Sequence, residues 1–407
     1  MAAEARHEGL HDPATALTAL LDGVMALESE SVALTQAHGR TLADTVTALM
    51  DTPPADNSAM DGYAIRAADA GRTLPVSQRI PAGHAPAPLA PGTCARIFTG
   101  AVIPEGADSV VRQEVVEESA EGAAIPGPVT AGNSVRRRGR EMQRGATLLE
   151  AGTRLNAAAV GFLASQGYDR VAVRRRPRVS LLVTGDELVE PGRPLSPGQI
   201  YNSNAPMLAA LLSEFGAEVV ASRHVADSLD ATVAALADAA EGSDVVVTSG
   251  GVSIGEEDHV RSALQQLGTL DLWRLSIKPG KPLALGRIKR GNGGETRFVG
   301  LAGNPVSSYV GAWLFLRPLM GALLARPDQA ALPALRVRAG FETSTERRAN
   351  YMRVSLTVED DQLVAHAFAD QDSSVLHSCV QADGLAVIPA WHEIAPGDMI
   401  DVLRLQP

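Results

Sequence analysis

The chain holds 407 residues, long enough for two to four domains, and its 45% hydrophobic and 20% charged content excludes wholesale disorder. A net charge of −11 without a long basic stripe disfavours a binder of duplex nucleic acid. Only Cys94 and Cys379 are present, far apart, which excludes a disulfide framework and a cysteine zinc site, and no run reaches the ~18 apolar residues of a membrane helix.

Asp12 and Pro13 open a helix, one as cap and one at the first helical position, and Leu17, Leu20, Leu21 and Val24 form its apolar stripe. Residues 53–137 are rich in Gly and Pro, with short β-like runs at 96–98 and 109–111, the pattern of a small, mostly β module. Residues 138–177 read as a connecting segment that ends in a helix carrying Ala157, Val160, Leu163 and Ala164. Two basic clusters lie here, Arg136, Arg137, Arg138 and Arg140, then Arg174, Arg175 and Arg176. In so acidic a chain they meet a small anion, or simply solvent.

From residue 178 strands and helices alternate. A strand over 179–183 leads to Thr184, Gly185, Asp186 and Glu187. A helix from Asn204 carries Met207, Leu208, Leu211, Leu212 and Phe215, and Gly216 stops it. A strand over 217–225, a helix begun at Ser228, and a strand over 245–248 follow. The next helix, with Val260, Leu264 and Leu267, ends at Gly268. A strand over 298–301 then precedes Asn304 and Pro305, which open a long helix. Such alternation predicts a parallel, helix-covered sheet, with ligands outside the carboxyl ends of its strands. Five strands without helices, over 335–341, 351–358, 362–368, 384–389 and 399–405, predict a small barrel or sandwich.

The polar motifs of the α/β region fall at those strand ends. Residues 248–258, with Ser249, Gly250, Gly251, Ser253 and Asp258, follow a strand and precede a helix. Their backbone suits a phosphate or other oxyanion, or simply a tight turn. The run is neither a Rossmann fingerprint nor a Walker loop. Asp186, Glu187, Asp227 and Asp258 make an oxygen-only carboxylate set that suits Mg²⁺ better than zinc, although each alone suits a helix cap or solvated turn. Lys278 and Lys281 sit on a turn stiffened by Pro279 and Pro282, preceded by Arg274: an anion site, or a solvated basic turn.

Six segments together resemble the molybdopterin molybdenumtransferase family, to which bacterial MoeA and the gephyrin E domain belong. They are DNSAMDGYA from Asp56, RIFTGAVIPEGAD from Arg96, VTGDELVEPGRPLSPGQIYNSNAPML from Val183, TSGGVSIGEEDHV from Thr248, IKPGKPLALG from Ile277 and GLAGNPVSSYV from Gly300. The resemblance implies four domains: a helical and linker part (1–52 and 138–177), a β-rich second domain (53–137), a molybdopterin-binding α/β domain (178–327) and a C-terminal β-barrel (328–407). It implies a homodimer whose site is shared between subunits. It further implies Mg²⁺-dependent insertion of molybdate into adenylylated molybdopterin, with release of AMP. A molybdopterin adenylyltransferase before it and apo-molybdoenzymes after it are the implied partners.

Carried over by position, Asp61 and Thr99 resemble second-domain residues that reach the partner's site. Glu187, Asp227 and Asp258 resemble the acids around metal and substrate, Lys278 and Lys281 the anion-binding lysines, and Asn304 with Pro305 the pterin-side turn. Ser249, Gly250, Gly251 and Ser253 match the loop that cradles the pterin phosphate. The substrate-binding set extends to Arg137, Thr184, Gly185, Asp186, Arg274 and Ser307, and Glu141 is a further metal candidate. Arg274 stands where the family often has Lys, Ala302 where it often has Pro, and Glu141 where it often has Asp. Two other readings compete: adenylylation of molybdopterin, by an enzyme resembling the α/β part alone, and a pterin-binding scaffold without turnover. The opening residues carry no basic region followed by an apolar run, so the expected location is the cytoplasm, with no membrane or nucleic-acid partner.

Overall fold

The computed structural model describes residues 10–251, 259–332 and 334–405. The chain forms two compact units: one runs over 1–30, 39–43 and 172–407, the other over 31–38 and 44–171. In the first unit, helix α1 (Pro13–Leu21) begins as expected, with the Asp12 carboxylate accepting from the Ala14 amide at 3.0 Å. Ala16 and Leu20 are its buried positions.

The second unit contains the expected β module. Strands β1 (Gly62–Ile65), β2 (Val76–Ile80), β3 (Cys94–Ile97) and β4 (Ser109–Arg112) form one sheet in the order β2-β3-β1-β4. Glycine is required at 62, where a Cβ would lie 2.0 Å from the Val111 carbonyl oxygen. Helix α2 (Ala157–Ser165) is capped by Asn156, which accepts from the Ala159 amide at 2.9 Å. The segment does not end there: Arg170–Arg174 forms a further strand. Nor are the basic clusters simply solvated. Arg137 pairs with Asp56, Arg138 with Asp51, and Arg175 with both Glu28 and Asp244.

In the first unit the chain continues through β5 (Arg178–Thr184), α3 (Asn204–Glu214), β6 (Glu218–Val225), α4 (Leu229–Gly242) and β7 (Val245–Ser249). After it come α5 (His259–Leu267), β8 (Gly268–Arg274), β9 (Pro282–Lys289), β10 (Glu295–Leu301) and α6 (Pro305–Gly311). The sheet order is β6-β5-β7-β10-β9-β8. The first four strands are parallel, as expected, but β9 and β8 are antiparallel. The parallel strands announce themselves because helices cover both faces: β7 is buried throughout, and it opens on three consecutive valines. In the added hairpin β8 follows directly on a helix, so no turn marks its start.

Helix α6 passes through a π-helical turn, Ala312–Leu316, into α7 (Arg317–Leu323). All five residues of that turn are buried. The C-terminal strands β11 (Ala334–Ala339), β12 (Ala349–Glu359), β13 (Gln362–Ala367), β14 (Gly384–Ile388) and β15 (Met399–Arg404) close in the order β12-β13-β11-β15-β14 and back to β12. The expected barrel or sandwich is therefore a five-stranded barrel. Ile277–Lys278 adds to β12 as a short parallel strand. Leu275, Ile277, Tyr351, Leu385 and Leu403 share one buried cluster with Val245 and Val299 of the sheet. Burial of each large apolar side chain stabilises by roughly 1.5–3 kcal/mol, so sheet and barrel are held as one body. Among the described residues no helix is long and apolar enough to cross a membrane.

A candidate active-site cleft at the carboxyl edge of the sheet

A cleft of about 1200 Å³ opens in the first unit where β5, β7 and β10 end. Side chains from the carboxyl ends of parallel strands and from the loops beyond them form its walls, the position where ligands sit in such sheets. Of the predicted residues, Thr184, Gly185, Glu187, Asp227, Ser249, Gly250, Gly251, Lys278, Lys281, Asn304, Pro305 and Ser307 line it.

The acidic side of the cleft comes from the turns after β5 and β6. Gly185 has φ +137°, and its missing Cβ leaves room for the Glu187 carboxylate: a Cβ there would stand 2.6 Å from Oε2. The His224 ring nitrogen lies 2.9 Å from the Gly185 carbonyl oxygen. Asp227 is exposed beside His259, with 3.9 Å between Oδ1 and Nε2. Asp186 is exposed and lies outside the lining. Asp258 and Ser253 lie outside the described residues. Among the described residues, Glu187 and Asp227 are the members of the expected carboxylate set that line the cleft. Among the described residues no three His, Cys, Asp or Glu side chains gather closely enough to hold a metal ion alone.

The floor is backbone and small polar groups. Gly250 and Gly251 have φ +95° and +64°, and a Cβ on Gly251 would meet Val260 at 2.6 Å. The Gly250 amide donates to the Leu301 carbonyl at 3.1 Å, so it serves the sheet rather than an oxyanion. Beneath this loop the buried Asn204 side chain donates to Ser249 Oγ (2.8 Å) and to the Gly303 carbonyl (2.7 Å). One amide thus ties the ends of β7 and β10 to the head of α3.

The opposite side is cationic. Gly280, φ +95°, completes the turn between β8 and β9 and presents Lys278 and Lys281 to the cleft. Arg348, just before β12, joins them. The neighbouring Arg274 charge, with lesser contributions from desolvation, Arg348 and Arg347, pushes the Lys281 ammonium below the usual lysine range. Such a depression by like charge marks a place where an anion relieves repulsion. Arg274 is half-buried near this group but outside the lining.

A barrel loop completes the cleft, and its residues escaped the sequence reading. Gln371, Asp372, Ser373 and Ser374 line it along with Arg348. The loop is fixed by Arg353, a fully buried arginine on β12. It donates to Ser378 Oγ (2.9 Å) and to the carbonyls of Gln371 (3.1 Å) and Asp372 (3.0 Å). Hydrogen bonds from the Ser374 hydroxyl and amide hold the Asp372 carboxyl below the usual range, with Arg353 and Lys278 adding to the effect. Paired serines and aspartates at 370–374, and two adjacent arginines before a strand, were the available sequence signals.

The remaining predicted residues belong to the second unit. Asp61 Oδ1 accepts from both the amide and the hydroxyl of Thr99, each at 2.8 Å. These two bonds, with Arg96 nearby, hold the Asp61 carboxyl low. Arg137 Nη1 lies 2.6 Å from Asp56. Glu141 is exposed, and its amide donates to the Thr52 carbonyl.

Three family descriptions fit successive parts of the chain. Residues 11–167 match the MoeA N-terminal region (domain I and II), residues 180–322 the "Probable molybdopterin binding domain", and residues 336–405 the MoeA C-terminal region (domain IV). A molybdopterin molybdenumtransferase of Nostoc sp. is 38% identical over 392 residues, covering 93% of this chain and 89% of the relative. Molybdopterin molybdenumtransferase 2 of Mycobacterium tuberculosis is 35% identical over 390 residues, 92% and 95% of the two chains. The crystal structure of a molybdopterin biosynthesis MoeA protein from Pyrococcus horikosii superposes with a TM-score of 0.81 at 30% identity, covering 98% of this chain and all of the other. With matches of this identity running through nearly its whole length, the chain belongs to the molybdopterin molybdenumtransferase family of enzymes.

Proposed function

We propose that this enzyme inserts molybdenum into adenylylated molybdopterin, with molybdate and the adenylylated pterin as substrates and AMP as a product. The observation that carries the proposal is the polarity of the cleft: Lys278, Lys281 and Arg348 on one side, Glu187 and Asp227 on the other, with Ser249, Gly250, Gly251, Asn304 and Ser307 between them. A tetrahedral dianion fits the cationic side, where it neutralises charges that otherwise repel. The pterin phosphate fits the small-residue floor, whose glycines admit close approach of a ligand.

The donor set fits Mg²⁺, which commonly uses one or two carboxylates together with substrate phosphates and waters. Glu187 and Asp227 would hold it, joined by Asp258. When bound it neutralises charge on the phosphoanhydride. The chain's own groups then orient the two substrates: Lys278 and Lys281 keep the molybdate oxygens in place, Arg348 supplies a planar fork, and Ser373 fixes the barrel loop beside them.

The four-domain division at 53, 138, 178 and 328, a cytoplasmic location and a homodimer belong to the same proposal. In the dimer, Asp61 and Thr99 of one copy would complete the cleft of the other, Arg137 would add substrate contacts, and Glu141 is the weakest metal candidate. Substrate would come from a molybdopterin adenylyltransferase, and product would pass to apo-molybdoenzymes.

The test is direct. Purified enzyme receives adenylylated molybdopterin, Mg²⁺ and molybdate, and AMP release is followed with the molybdenum content of the pterin. Coupled, molybdate-dependent formation of both is expected. AMP release that ignores molybdate, or none, overturns the proposal.

A further inference from the structure

Away from the cleft, the first unit gathers four arginines around a second recess. Arg40, Arg174, Arg176 and Arg326 line it together with Thr41, Gly216 and Leu324. Its volume of about 10 Å³ accommodates one water-sized particle. The basic run at 174–176 therefore divides: Arg175 turns to Asp244 and Glu28, while its two neighbours turn to the recess.

The charges in the recess do not balance. Arg40 pairs with Glu30, and Arg326 pairs with Asp328 at 2.7 Å; both arginine side chains are 11% exposed. Arg174 and Arg176 have no carboxylate partner among the described residues. Arg174 donates through Nη1 to the Leu27 carbonyl (2.9 Å) and through Nη2 to the Ala43 carbonyl (3.3 Å). Its Nε–H is buried without a partner, and the recess that Arg174 lines holds a cationic excess. Clustered guanidinium groups repel unless a counter-charge lies between them.

We propose that this recess binds a single small anion of halide size, at a site separate from the catalytic cleft. Arg174 and Arg176 bring the guanidinium charge that has no carboxylate partner among the described residues, and Arg40 and Arg326 add to the surrounding positive charge. The recess is far smaller than the cleft of about 1200 Å³, which suits it to a small anion rather than to the ligands of the cleft.

Chloride is the probe. Thermal unfolding of the full-length protein would be followed as sodium chloride replaces sodium gluconate at constant ionic strength. A saturable rise in Tm is expected. Arg174→Gln and Arg176→Gln should each raise the half-saturating chloride concentration by about tenfold, the loss of one charge-assisted contact. Arg176→Gln keeps the test readable should Arg174→Gln weaken the fold, because Arg176 is exposed and makes no side-chain hydrogen bond among the described residues. Crystals soaked in bromide should show an anomalous peak in the recess. A Tm indifferent to the exchange of anions, a chloride effect unchanged in Arg176→Gln, or a recess without bromide would each overturn the proposal.

Discussion

The side-chain amide of Asn304 donates to the hydroxyl of Ser373 across 3.0 Å, and the Ser373 carbonyl accepts the Val306 amide at 3.1 Å. The first residue caps α6 at the edge of the α/β sheet; the second stands in a barrel loop 69 positions later. This pair sets the spacing between the sheet-edge loops and the barrel side of the cleft. Ser373→Ala should lower the unfolding free energy by only about 1 kcal/mol, the worth of an ordinary hydrogen bond. Molybdate affinity, titrated calorimetrically, should fall by about tenfold as the loop loses its anchor. An unaltered affinity would show that the spacing is set elsewhere.

Lys281 gives the cleft a pH signature. Its ammonium titrates below the usual lysine range, chiefly because of the Arg274 charge. The charged form is what an oxyanion needs, so molybdate affinity should begin to fall at a lower alkaline pH than for an isolated lysine. Arg274→Gln removes the main cause, so the same limb should move to higher pH. The stability effect has the opposite sign. A lysine whose folded pKa is depressed disfavours the fold while charged, and that penalty is relieved as pH rises from the folded toward the unfolded pKa. Lys281→Gln should therefore bind molybdate poorly yet unfold no more easily than the parent. A matching loss of stability would mean that Lys281 serves packing instead.

The α/β half of this site was legible because parallel strands advertise themselves. Apolar runs such as Val245, Val246 and Val247 end abruptly in Ser249 and two glycines, and Thr184 with Gly185 repeats the pattern. The barrel half was not, for two physical reasons. Arg348 and Ser373 come close to Lys278 only through tertiary packing on a shared core, which leaves no local period to read. Arg353 sits in a strand whose alternation looks like that of any half-exposed strand, although its guanidinium is wholly buried. Even in the α/β region, the hairpin of β8 and β9 hid behind the helix stop at Gly268.

Arg353 is the strongest structural prediction among those unread residues. Its guanidinium satisfies the carbonyls of Gln371 and Asp372 and the Ser378 hydroxyl, while Gln371 bonds back to both the Arg353 amide and carbonyl. Arg353→Met keeps the volume but strands these acceptors, which should cost roughly 3 kcal/mol or more of stability. Arg353→Lys retains the charge without the fork and should be intermediate. In that variant, at a temperature where it remains folded, amide exchange should accelerate in residues 370–374 and molybdate affinity should fall. Exchange rates unchanged in that loop would contradict the assignment.

Gly185 and Glu187 offer the sharpest way to separate folding from metal binding. Alanine at 185 must adopt φ +137° and place its Cβ 2.6 Å from Glu187 Oε2, so the flexible carboxylate is the group that yields. The backbone strain should cost roughly 1–3 kcal/mol. If Glu187 helps hold Mg²⁺, Gly185→Ala should raise the Mg²⁺ concentration that half-saturates AMP release while changing the KM for adenylylated molybdopterin much less. Glu187→Gln is the matched control, because it leaves the glycine backbone intact and removes one negative charge. It should reproduce the Mg²⁺ effect with little loss of stability. Should both variants keep the parental Mg²⁺ dependence, the metal is held without this carboxylate, and Asp227 with Asp258 becomes the pair to test.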